Sequence, residues 1–79
     1  MDRVYMIHIP KDRFSLYQAD LWILENSYEL SHIINFNGGK YYSYPQLWIY
    51  NFDSNTFKNK TLDNGIVVIT GRYLSEPQS

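Results

Sequence analysis

Lys11-Asp12-Arg13-Phe14-Ser15-Leu16-Tyr17-Gln18-Ala19-Asp20-Leu21-Trp22-Ile23-Leu24-Glu25-Asn26 is the stretch on which the fold class turns. Phe14, Tyr17, Leu21 and Leu24 recur at helical spacing, and Asp12 is placed to cap such a helix. Against a helix stand the unbroken apolar run Leu21-Trp22-Ile23-Leu24 and the poor helix formers Ser, Tyr and Ile. An internal echo favours strands. Leu21-Trp22-Ile23 returns as Leu47-Trp48-Ile49, and a polar turn follows each copy, Glu25-Asn26-Ser27 and Asp53-Ser54-Asn55. An aromatic, Tyr28 or Phe57, then restarts an extended run.

The second copy reads as a hairpin, Leu47–Phe52 turning through Asp53-Ser54-Asn55 into Thr56-Phe57. Over these residues it resembles a hairpin of a kelch-type or WD-type propeller blade. No glycine doublet or Trp-Asp pair accompanies it, and the chain is far too short for a propeller, so the resemblance implies local hairpin structure alone. By analogy the first copy is expected to be a hairpin as well.

Working outward, Arg3–Ile9 is β-branched and aromatic and stops at Pro10, which predicts a first strand apolar on both faces. Asn37-Gly38-Gly39-Lys40 and Asp63-Asn64-Gly65 are hairpin turns by composition. Ile66-Val67-Val68-Ile69 is the strongest strand and is expected at the centre of the sheet, with Gly71 marking a bulge beyond it. Turns therefore recur along the whole chain. The expected fold is all-β, a small antiparallel meander, barrel or sandwich of about 6–8 short strands. The alternative is α+β with one helix near residues 12–25. Residues 1–74 form a single β-rich domain on this reading, and 75–79 a polar C-terminal tail.

Seventy-nine residues without Cys have no disulfides, thiolate metal sites or cysteine nucleophiles. The formal charge of −1 comes from scattered residues of both signs, without the basic stripe of a duplex binder. Neither a signal-peptide h-region nor a membrane-length apolar run occurs, so a soluble, cytoplasmic protein is expected. Ala occurs once, whereas Ile, Tyr, Asn, Phe and Lys exceed a third of the chain. These residues have AT-rich codons, a bias shared by many phages and mobile elements and by many bacteria.

Chemistry-bearing motifs are sparse. His8 and His32 lack Glu-x-x-His or His-x-His spacing, and no nucleophile or orienting carboxylate is tied to either, so catalytic, metal and cofactor sites are not expected. Gly38-Gly39-Lys40 resembles the end of a phosphate loop, but Tyr41 stands where Ser or Thr is required.

The strongest functional signal is aromatic. Tyr41, Tyr42, Tyr44, Trp48, Tyr50, Phe52 and Phe57 fall within seventeen residues. Strand parity sets Trp48, Tyr50 and Phe52 on one face against Leu47, Ile49 and Asn51 on the other. So small a chain has little with which to cover two apolar faces, so a protein partner or a second copy is expected to cover one, a homodimer being the second form. Tyr41, Tyr42, Tyr44, Trp48, Tyr50 and Phe52 are the expected partner-binding residues of a non-enzymatic protein-binding module. With the composition, this suggests an inhibitor or modulator of a host protein carried by a phage or mobile element. The alternative is single-stranded nucleic-acid or carbohydrate binding by stacking on the same rings, with Lys40, Lys58 and Lys60 near the phosphates.

Overall fold

The structure, a computed structural model, describes residues 2–30 and 39–74. Strand β1 (Asp2–Pro10) lies inside a four-stranded sheet that also contains β2 (Tyr41–Pro45), β3 (Lys58–Thr61) and β4 (Val67–Arg72). The order is β2-β1-β4-β3 and every neighbouring pair is antiparallel. Helix α1 (Leu16–Glu25) links β1 toward β2. The fold is thus β-rich and antiparallel as expected, with fewer strands, one open sheet and one α-helix among the described residues.

The helix corrects the hairpin expected from the repeated Leu-Trp-Ile. A capping box decides its start: Gln18 N–H donates to Ser15 Oγ at 3.2 Å, and Ser15 N–H donates to Gln18 Oε1 at 2.9 Å. Two of the orphan N–H groups at the helix start are satisfied reciprocally. Ser15, not Asp12, is the cap. At the other end Ser27 takes φ 62°, Tyr28 N–H reaches the Ile23 carbonyl and Ser27 N–H the Leu24 carbonyl, closing a Schellman motif. Helical spacing was legible, but the buried face was not the one it marked. Ala19 and Ile23 enter the core, while Tyr17, Leu21 and Leu24 face outward.

The core lies between α1 and one sheet face: Ile7 and Ile9 of β1, Tyr44 of β2, Val68 of β4, Ile66 before it, and the two helix residues. Cross-strand register sets these side chains on one face, with Ile7 opposite both Tyr44 and Val68. A bulge at Tyr5 preserves this alignment. Val4 pairs with Thr70 and Met6 with Ile69, so the extra Tyr5 keeps Val4 on the helix side and turns its own ring to the other face. The irregularity expected at Gly71 thus sits across the ladder, on β1.

The β3–β4 hairpin follows the Asp63-Asn64-Gly65 turn. Gly65 has φ +88°, and a Cβ there would stand 3.3 Å from Pro10 Cγ, so glycine suits this position on both counts. Leu62 and Ile66 bond across the turn at 2.8 Å, and Ile66 N–H also meets Asn64 Oδ1. As expected, β4 is interior. Of the Asn37–Lys40 turn, residues 37 and 38 lie outside the described residues, as do His32, most of the extended run from Tyr28 to Phe36, and the 75–79 tail.

Candidate functional site

The sheet face opposite α1 is covered at one end by the chain itself. Tyr5 meets Phe52 edge-on at 5.5 Å and Phe57 at 5.0 Å, and Phe52 meets Tyr73 edge-on at 5.4 Å. Edge-to-face rings align the positive edge of one with the negative face of another. The Arg3 guanidinium lies 5.1 Å from the Tyr73 ring centre. The cluster closes down on Gly71, where a Cβ would come within 2.8 Å of Phe57 and 3.1 Å of Phe52. Gly71 is therefore a close-approach position, not a bulge.

The same cluster sets the path of residues 48–53, and this corrects the second hairpin. One turn of 3-10 helix, Ile49–Asn51, replaces the expected strand, and Phe52 makes a single bridge to Tyr73. Leu74 N–H donates to the Asn51 carbonyl at 2.8 Å and Asp53 N–H to the Arg72 carbonyl at 3.0 Å. These bonds anchor the segment beside the end of β4 and draw Phe52 inward. Strand alternation no longer applies in a turn of three residues, so Trp48 and Tyr50 part from Phe52.

Trp48 is 73% exposed, Tyr50 83%, and Phe52 5%. The Trp48 and Tyr50 rings lie 6.4 Å apart, centre to centre, with planes 25° from parallel. Beside Trp48 runs a groove of about 400 Å³ walled by Tyr5, Met6, Pro45, Leu47 and Ile49. Gln46 supplies its amide wall, and that amide is engaged: Nε2 donates to the carbonyls of Glu29 and Tyr44, and Oε1 accepts from Glu29 N–H. Among the described residues no charged side chain lines the groove.

The other expected contact residues are scattered. Tyr44 is wholly buried in the core, its hydroxyl donating to Asp20 Oδ1 at 2.7 Å. Burial, reinforced by that carboxylate, raises the Tyr44 phenol well above its ordinary value. Tyr42 packs half-buried against the core, with the Lys11 ammonium 5.3 Å from its ring centre. Tyr41 borders the opposite face, 5.7 Å from the His8 ring and partly exposed. Of the six, the structure brings together Trp48 and Tyr50 on an open surface.

His8 sits opposite Ser43 across β1 and β2, and its Nδ1 shares a 2.6 Å hydrogen bond with Ser43 Oγ. Burial lowers the imidazole below its ordinary value of 6.5, so the ring is neutral at physiological pH. Ser43 is itself buried, which makes the pair a cross-strand lock and closes the hydroxyl to a substrate. Among the described residues no cluster of three or more His, Asp or Glu side chains offers a metal site, and no helix is long and apolar enough to cross a membrane.

A second surface escaped the sequence reading. Tyr17, Leu21 and Leu24 are spaced for one helix face and stand exposed on α1. Their periodicity was visible, but only the packing of Ala19 and Ile23 shows which side of the helix meets the sheet. Compared with protein-family models, curated proteins and solved structures, the chain has no match.

Proposed function

We propose that this protein is a small protein-binding module whose contact surface is the Trp48–Tyr50 pair and the apolar groove beside it. The observation that carries the reading is the exposure of two large aromatic rings by a backbone anchored on both sides. Trp and Tyr are the residue types that dominate interface energetics, and a pre-set backbone lowers the ordering cost of binding. The uncharged groove suits a partner that inserts an apolar side chain.

Single-stranded nucleic acid fits the site less well. Stacking on exposed rings needs cations to track the phosphates, and among the described residues no charged side chain lines the groove beside Trp48. Composition extends the proposal to an inhibitor or modulator of a host protein encoded by a phage or mobile element. Its gene would then lie among phage or mobile-element genes, and an ordinary housekeeping operon would remove that extension.

The test is affinity capture from native lysate with the wild-type chain, with a Trp48→Ala/Tyr50→Ala double variant, and with Tyr17→Ala as a surface control. A protein retained by wild type and control after nuclease treatment, and lost with the double variant, supports the reading. Retention by all three removes the aromatic pair from the interface. Recovery that vanishes with nuclease points to nucleic acid instead.

A further inference from the structure

We infer that the free edge of β3 accepts an extended acidic segment of a partner protein as an additional strand. Among the described residues β3 is outermost in the sheet and pairs only with β4, and all four of its residues are exposed. Such an edge presents unpaired N–H and C=O groups, a template for strand addition. Edges are commonly closed by proline, a bulge or a covering segment. Lys58-Asn59-Lys60-Thr61 has no proline, its register with β4 is unbroken from Lys58↔Thr70 to Thr61↔Val67, and no described segment covers its exposed residues.

What remains is charge. Lys58 and Lys60, two residues apart, project from one face, and no other described residue engages either ammonium. Their effect depends on the incoming strand. Antiparallel pairing with β3 of a second copy, centred on Asn59, sets lysine directly opposite lysine, which is destabilising. An acidic side chain at alternate positions makes two favourable cross-strand pairs in the same place. The edge therefore disfavours its own copy and selects for negative charge. β2, the opposite edge, is less suited: Pro45 has no N–H, and the Tyr44 carbonyl already accepts from Gln46. This surface shares no residue with Trp48, Tyr50 or the groove beside them, so either proposal can fail without the other.

The probe is a peptide of alternating glutamate and valine, compared at low salt with its lysine–valine counterpart and read by amide NMR shifts. The acidic peptide is expected to bind at least about fivefold tighter, the scale of two cross-strand charge pairs, with shifts centred on residues 58–61. A Lys58→Glu/Lys60→Glu variant, both sites being exposed, should keep its fold by circular dichroism and reverse the preference. Backbone N-methylation of the acidic peptide should abolish binding, since the added strand then loses its donors. Equal or absent binding of the two peptides, shifts that map to Trp48 and Tyr50, or a variant whose preference does not reverse would overturn the inference.

Discussion

Tyr44 and His8 show what single side chains do here. Tyr44 fills the core and spends its hydroxyl on Asp20 of the helix, so one residue ties β2 to α1 by both area and hydrogen bond. Tyr44→Phe keeps the ring and leaves the part-buried Asp20 carboxylate short of a donor. The expected loss is about 1–2 kcal/mol, read from urea denaturation midpoints at constant m. His8 makes stability depend on pH. Its folded value lies below 6.5, so the native state takes up a proton less readily than the unfolded chain. The His8 contribution is complete above 6.5 and declines as pH falls through 6.5 toward the lower folded value. The melting temperature should therefore drop between about pH 8 and about pH 5 more steeply in the wild type than in His8→Gln, a comparison that separates His8 from His32. Parallel curves would remove His8 from the linkage.

At the scale of elements, two local devices settle what the repeated Leu-Trp-Ile left open. The Ser15–Gln18 capping box turns the first copy into a helix, although the same triplet at residues 47–49 leads from extended chain into a 3-10 turn. Ser15→Ala should cost about 1 kcal/mol, measurable as a lower thermal midpoint in far-ultraviolet circular dichroism. Gly71 does the equivalent for the aromatic cluster. In Gly71→Ala a methyl meets the Phe57 and Phe52 rings, and Phe52 is buried with little room to withdraw. The expected cost is about 1–3 kcal/mol, with Phe52 and Phe57 ring resonances displaced. An unchanged midpoint would mean the rings yield freely.

For the whole molecule, stability and binding are expected to separate. Trp48 and Tyr50 contribute little to the core, so the Trp48→Ala/Tyr50→Ala variant should keep its melting temperature within the shift equivalent to about 0.5 kcal/mol while losing its partner. A large drop in stability would place the rings in the fold instead of the interface. Of the six aromatics that composition and parity nominated, Tyr44 and Phe52 proved to be buried, and the reason is visible in the chain's size. So small a domain needs its largest side chains for the core, and strand parity has no hold on residues that leave the sheet.

Local chemistry was enough to determine several features: the Arg3–Ile9 strand, the Asp63-Asn64-Gly65 turn, the interior strand beginning near Val67, and an aromatic surplus around residues 41–57. β-branching, glycine's access to positive φ and the sheer area of aromatic rings act over a few residues and leave their mark in composition. Other features depended on what met what across the fold. The side of α1 that faces the sheet and the rings left outside were decided by the packing of Ala19 and Ile23 on β1, β2 and β4 and by the approach of Phe52 and Phe57 to Gly71. Those contacts join residues far apart in the chain, and burial energy belongs to the assembled layers, so neither copy of Leu-Trp-Ile carries that information alone.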